Sequence, residues 1–505
     1  MNDSIVEDIA SICIGPTGTI RQALEVLETT HKEIALVVDG DRRLLGSITD
    51  GDVRRATLAG YAVQQPVEKI MNSNPVVGSP QMLRREMLQL MNFRSVEQLP
   101  LVGDTGVVVG LVRMKELARV LEPMIPLLEL PITDGEVDAV QSVLHSGWLT
   151  MGDLTERLEV EFAEFVGVDH AIAVNSGTAA LHLAHRILGI EQGDEVICPS
   201  LSFVATSNAI LYSGATPIFV DVTSVDDFTI DPVAVEAAIT RRTKAIIAMH
   251  YGGNSCNLVA LRDIARRHGL YLIEDAAHAP GASCHGRMCG AWGEIGCFSF
   301  YSNKNLTTGE GGMITTNNFE HAERLRLLRS HAMTSSAVER HRGESNVYDV
   351  VDLGYNYRLD EIRSALGLEQ LRALQQRNSR RRQLVRIYRG LLVDCPGVHV
   401  PFADSSIDES ACHIFPVVLN AELDREEISE LLRLDGIQTS VHYPAIHELQ
   451  YYAERFSCQL PITEEISKKE LTLPLYPSMS KQQIERVVDV LSDAVANSTL
   501  LEVTH

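Results

Sequence analysis

Several things are scarce in this chain of 505 residues. Aromatic residues make up 5%, and positive charge is outweighed: 44 Lys and Arg stand against 67 Asp and Glu, a formal net charge of -23. Binding a phosphate backbone needs clustered Lys and Arg, not a net acidic field, so nucleic acid is excluded as the partner. A small anion in a locally positive pocket is still allowed. Long hydrophobic runs are missing too: stretches such as "GVVVGLV" at 106–112 fall far short of the ~20 apolar residues of a membrane helix. The start, "MNDSIVEDIASICIGP", has early acids and no basic stretch leading into an apolar core, so it does not read as a secretory signal. The nine cysteines lack the paired C-x2-C spacing of a zinc site. Even Cys284, Cys289 and Cys297, which cluster loosely, read as buried, reduced thiols. No metal site and no membrane contact are expected, and the expected location is the cytoplasm.

What is present describes a globular protein: 45% hydrophobic residues, 22% charged and a mean hydropathy of +0.01. The length suits two or three domains, each with its own core.

The first part repeats itself at an offset of about 64 residues. "IGPTGTIRQALEVL" from Ile14 is echoed by "GSPQMLRREMLQLM" from Gly78, and "VDGDRRLLGSITDGD" from Val38 by "VGDTGVVVGLVRMKE" from Val102. Two copies suggest a pseudo-symmetric pair, since a solenoid needs about three or more units. Each copy reads as an amphipathic helix (Ile20, Leu24 and Leu27 in the first), a short strand, a turn, a second strand and another helix.

This region, roughly 8–122, resembles a tandem cystathionine-beta-synthase (CBS) domain pair. The resemblance implies a regulatory module that binds an adenine nucleotide between its copies. The family's ribose-binding pattern appears as Gly46-Ser47-Ile48-Thr49-Asp50-Gly51-Asp52, so Thr49 and Asp52 inherit that role. Arg113 and Glu116 replace them in the second copy, so at most one site keeps the pattern. The alternative is a degenerate pair that mediates only dimer contacts.

Three prolines in "LEPMIPLLELPITDGE", 121–136, mark a linker. From about 136 onward, helices and strands alternate. "HAIAVNSG", "EVICPS", "PIFVDV", "KAIIAMH" and "LYLIEDAA" read as strands separated by helical stretches. This predicts an α/β domain with a mainly parallel sheet covered on both faces, its ligands beyond the carboxyl ends of the strands.

The strand ends carry the candidate chemistry. "VNSGTAALHLA" opens a helix, where the N–H groups of Gly177, Thr178 and Ala179 and the Thr178 hydroxyl are placed to hold a phosphate. The same Ser and Thr also suit an ordinary cap. Phe203, in "LSFVATSNA", either stacks on a planar cofactor or packs in the core. Asp275 ends an apolar strand, where a carboxylate is costly without a cation. The protonated ring nitrogen of pyridoxal phosphate is such a cation, and His278, one turn on, is within reach of that cofactor; the alternative is an N-cap pair. Lys304 lies in "SFYSNKNLTTGEGG", a run low in charge that depresses a lysine pKa in the direction a Schiff-base nucleophile needs. Ser299, five residues earlier, is a second candidate phosphate donor.

With "GYNYRLDEIRSALG" at 354–367 and "TLPLYPSMS" at 472–480, these stretches follow the order and spacing of the DegT/DnrJ/EryC1/StrS sugar aminotransferases, a pyridoxal-phosphate fold-type-I family. The resemblance covers nearly all of 126–495. It implies that Lys304 binds the cofactor covalently and later carries the proton, that Asp275 partners the pyridine nitrogen, and that Phe203 stacks on the ring. Gly177, Thr178 and Ser299 become phosphate contacts. His278 stands where many members have Gln and others His. Asn356 resembles a residue that reaches the cofactor phosphate of a neighbouring subunit, implying a homodimer with shared sites. Arg358 meets an anionic group or forms a structural ion pair. Trp148 of "SGWLTMG", and His442, Tyr443 and His447 of "VHYPAIHELQYY", border the substrate pocket or pack their loops.

The implied reaction moves an amino group from glutamate to a nucleotide-linked keto-sugar, in surface amino-sugar (lipopolysaccharide) or antibiotic sugar synthesis. Its rivals are a sugar dehydratase of the same family, whose members replace the lysine, and an inactive nucleotide sensor. The expected layout is a CBS pair at 1–122, a linker at 123–135, a large cofactor-binding domain at 136–380 and a small α+β C-terminal subdomain at 381–505.

Overall fold

The computed structural model describes residues 9–30, 32–82, 84–114, 117, 123–335 and 347–502. They divide into two compact units: Met1–Met124 with Leu434–Gly436, and Ile125–Arg433 with Ile437–His505.

In the first unit the repeat is literal. The helix Ile20–Thr30 and the antiparallel strands Ile34–Val38 and Leu44–Thr49 recur 64 residues later as Arg84–Arg94, Gln98–Val102 and Val108–Arg113. Ile12, Ile34 and Leu36 of the first copy share a core with Val108 and Leu111 of the second. Each half-buried hairpin thus completes its core with its twin.

The second unit is built on a seven-stranded sheet. Its spatial order is His170–Val174, Gly312–Thr316, Ile295–Ser299, Tyr271–Asp275, Thr243–Met249, Glu195–Pro199, Thr216–Val220. Gly312–Thr316 alone runs antiparallel to its neighbours; the other recorded pairings are parallel. Side chains alternate between the faces, as strand geometry requires. Ala173, Ile246, Leu272 and Phe298 enter one core, while Ile172, Ile247, Ile273 and Cys297 enter the other. Helices cover both, and all nine cysteines are free thiols. No helix among the described residues is long and apolar enough to cross a membrane.

A 32-residue helix, Glu361–Leu392, runs straight through residue 380, so the boundary expected there falls inside continuous helix. Its start is held by a buried acid. Glu361, 4% exposed, accepts hydrogen bonds from the Gly152, Leu154 and Thr155 N–H groups at 2.9–3.0 Å and from the Thr155 hydroxyl at 2.8 Å. Glu361→Gln turns one acceptor into a donor facing donors. We expect a loss of about 2 kcal/mol, read as a lower denaturant midpoint with an unchanged slope.

The stretch 123–135 is not a free tether either. Ile125 is 1% exposed and bridges Ile437, and the Leu127 N–H donates to Gln438.

Candidate active site

The carboxyl ends of the central strands open onto one cavity of about 420 Å³. Asp275 and Cys297 are register partners on adjacent strands, so the turns that follow them bring Asp275, His278, Ser299 and Lys304 to a common wall. From the neighbouring strand ends come Gly177, Thr178 and Phe203, and from the C-terminal part His442 and Tyr443.

Asp275 is 4% exposed. Its Oδ2 accepts from the Thr206 hydroxyl at 2.7 Å and its Oδ1 from the Ala277 N–H at 3.2 Å. Burial pushes its pKa up; these hydrogen bonds and the positive charge of Lys304 push it back down. Its sequence neighbour Glu274 points to the opposite face of the strand. There it accepts from the Gly290, Trp292 and Gly293 N–H groups and contacts His250 Nε2 at 3.1 Å. His250, Glu274 and Cys289 offer ligand atoms within 4.8 Å of one another. However, the Cys256 N–H occupies His250 Nδ1, and the carboxylate already has four partners, so the group reads as a saturated core network.

Lys304 is half-buried and lines the cavity. Burial lowers its pKa from 10.5 to about 8, against an opposing pull from Asp275. His278, His413 and His442 surround it, each pushed below the ordinary imidazole value by burial and by the Lys304 charge, His442 to about 4. The lysine is thus the basic group of a pocket whose histidines are neutral. In the apo-protein, the unfolded chain keeps a proton between pH 8 and 10.5 that the folded chain has released. The penalty of enclosing the ammonium is therefore full below pH 8 and fades as pH rises through that window. For the same reason, the rate at which pyridoxal phosphate attaches to apo-protein should climb about tenfold per pH unit below 8 and level off above it. A rate still climbing at pH 10 would contradict this.

The phosphate end is shaped by a close approach. A Cβ on Gly177 would lie 2.8 Å from Ser299 Cβ, so glycine lets this helix start meet the Ile295–Ser299 strand. The Gly177 and Thr178 N–H groups, first in their helix, have no partner among the described residues. Ala179 is a correction: its N–H donates to the Ser176 cap at 3.1 Å, and it does not line the cavity. With an amine at one wall, a carboxylate at the depth of the sheet and this cradle, the residues present fit pyridoxal phosphate.

Other expected residues lie elsewhere. Trp148 lines a separate cleft with Glu361 and Arg157. His447 is buried, its two nitrogens on Ser200 and Glu464, and it does not line the cavity. Asn356 is exposed, its carbonyl accepting from Asn175, and Arg358 donates to the Ser330 hydroxyl. Phe203 keeps 55% of its surface exposed, at the cavity and 5.9 Å from the Tyr443 ring. Sequence reading missed Thr206, the hydroxyl on Asp275, although it lies three residues after Phe203 in the same quoted stretch.

In the first unit, Asp52 Oδ2 accepts from the Thr49 N–H at 2.8 Å and from the Thr49 hydroxyl at 2.7 Å, while Oδ1 pairs with Arg55. The Thr49–Asp52 pattern is thus also a capping box for the helix Asp50–Leu58. Arg113 ends its strand, and Glu116 lies outside the described residues.

A model of the DegT/DnrJ/EryC1/StrS aminotransferase family matches residues 131–492, and CBS domain models match 6–59 and 67–123. The spore coat polysaccharide biosynthesis protein SpsC of Bacillus subtilis (strain 168) is 40% identical over 368 residues, 71% of this chain and 94% of that protein. S. venezuelae DesV, solved in complex with a ketimine intermediate, superposes with a TM-score of 0.68 at 37% identity, covering 74% of this chain and 99% of its own. Spr1654 from Streptococcus pneumoniae, in its PLP-form, gives a TM-score of 0.69 at 28% identity over 75% of this chain and 99% of that one.

Proposed function

This chain belongs to the DegT/DnrJ/EryC1/StrS aminotransferase family, with the pyridoxal-phosphate fold-type-I architecture and N-terminal CBS domains, and from that premise we propose that it moves the amino group of glutamate to a nucleotide-linked keto-sugar. It is a pyridoxal-phosphate-dependent aminotransferase. The observation that carries the reading is the convergence of Lys304, Asp275 and the Gly177–Ser299 cradle on one cavity. When bound, the cofactor supplies an aldehyde that takes up an amine and a ring that withdraws electrons. Lys304 would hold the cofactor through its amine and would carry a proton at Nζ, for which a pKa near 8 is well matched. Asp275, enclosed and held by Thr206, would present its negative charge to the cofactor's ring nitrogen. Phe203, at the cavity beside Tyr443, would stack on the cofactor ring. Retention of the lysine favours transamination over the dehydratase alternative.

We read Asn356, exposed and outside its own cavity, as reaching the cofactor phosphate of a second subunit in a homodimer. Nine free thiols suit a reducing cytoplasm. The CBS pair takes an adenine nucleotide at Thr49 and Asp52 and thereby alters activity. Calorimetric titration of adenine nucleotides into wild type and Asp52→Ala tests this part, and absence of binding to both would sink it.

The transfer itself is tested with 15N-glutamate and UDP- or dTDP-linked 4-keto-6-deoxyhexoses, following the label by mass spectrometry. Its appearance in the sugar nucleotide supports the reading. Label that leaves glutamate but enters no sugar nucleotide would reject the acceptor, and label that never leaves glutamate would reject the amino donor.

A further inference from the structure

His278 touches the cavity, yet both of its ring nitrogens are already in use. The turn Tyr251–Gly253 is made by glycines in left-handed conformations, with φ of 62° at Gly252 and 90° at Gly253. It aims the Gly252 N–H at His278 Nδ1, 3.2 Å away. A nitrogen that accepts carries no hydrogen, so the neutral ring holds its hydrogen on Nε2. The doubly protonated form is disfavoured, because burial and the neighbouring Lys304 charge push His278 well below its ordinary pKa.

Nε2 lies 2.9 Å from the Tyr443 oxygen. The phenol must therefore accept from His278, and its own hydrogen points elsewhere. No other described group hydrogen-bonds that hydroxyl, and Tyr443 lines the cavity beside Lys304, Asp275 and Phe203. Burial and the Asp275 charge push its pKa up, so the hydroxyl keeps its hydrogen. A hydroxyl with its acceptor side satisfied has one polarity left to offer.

Resting on the reading above, we propose that Tyr443 is a dedicated hydrogen-bond donor to an oxygen of whatever occupies the Lys304 cavity, and that the Gly252–His278 relay fixes its polarity. His278 is then a positioning residue that acts through Tyr443. The acceptor is an anionic or carbonyl oxygen, on the cofactor or on a substrate.

The test is a double-mutant cycle on the full chain, with Tyr443→Phe, His278→Leu, both together, and His278→Gln, which keeps an N–H for Tyr443. Three quantities are measured: the Kd of apo-protein for pyridoxal phosphate by fluorescence quenching, the absorbance maximum of the bound cofactor, and the rate at which glutamate bleaches it. Melting temperatures check that each variant is folded. We expect each single loss to change one of these readouts by about tenfold or shift the maximum, the double variant to add nothing, and His278→Gln to stay within about twofold of wild type. A change in Kd or absorbance maximum assigns the acceptor to the cofactor, and a change confined to the glutamate step assigns it to the substrate. Either supports the donor role. Losses that add in the double variant, or a Tyr443→Phe protein that matches wild type throughout, would overturn it. A wild-type protein that binds no pyridoxal phosphate overturns the aminotransferase reading and this inference with it, whereas binding with additive losses overturns this inference alone.

Discussion

Lys304→Ala should yield a folded protein that keeps no covalently held yellow chromophore once free pyridoxal phosphate is removed, and that transfers amino groups roughly 10⁴-fold more slowly or worse, since its proton transfers alone contribute about 10²–10⁴. The proposed function gives Lys304 two roles, the attacking amine and the later proton carrier, and the imidazoles around it, held neutral by burial and by its charge, are poorly suited to either. His442, with a pKa near 4, has too little affinity for a proton to substitute. The measurement is an absorbance spectrum beside a melting curve. Near-wild-type turnover in this variant would remove the lysine from the chemistry.

Asp275→Asn should slow transfer by about 10²–10³-fold, the scale of losing one preorganised electrostatic contact in an enclosed site. The substitution keeps the shape and leaves Thr206 a partner, so it removes charge and little else. It also has a second signature. The Asp275 carboxylate pulls the Lys304 pKa upward against burial. Without that charge the lysine releases its proton more easily, and the midpoint of pyridoxal phosphate attachment should move below pH 8. Slower transfer with a lowered midpoint identifies an electrostatic role for Asp275. Slower transfer with an unmoved midpoint would mean that the two side chains do not sense each other.

The cavity was legible in the sequence where its residues sit just past a strand in short contiguous stretches. Lys304, Asp275, Phe203, Ser299, Gly177 and Thr178 are all of that kind, because a parallel sheet delivers its strand ends to one edge. Tyr443 and His442 also arrive there, although their loop is distant in sequence. The failures have local causes. Ala179 follows its cap by three residues, so the Ser176 side chain takes the N–H that a bare helix start would leave free. For His447, which borders the substrate pocket or packs its loop on the sequence alone, partners far along the chain, Ser200 and Glu464, use both nitrogens. The strand Gly312–Thr316 begins at a glycine and is not among the strands that the sequence pattern marks. It becomes a strand because its neighbours on both sides supply hydrogen-bond partners. Pairing between distant segments has no signature in a short window.

The helix Glu361–Leu392 has a further consequence. At 1.5 Å per residue it is a rod of about 48 Å. Leu368, Leu371 and Leu374 lie in the core beneath the sheet, while Leu384, Val385, Tyr388 and Leu392 lie in the core of the C-terminal part. Midway, Asn378 holds Asn305, next to Lys304, through a 2.9 Å hydrogen bond. Neither core can come apart without fraying a helix that the other holds intact. Amide hydrogens on both sides of residue 380 should therefore exchange with solvent through one shared opening, and the loop that carries Lys304 should share it through Asn305.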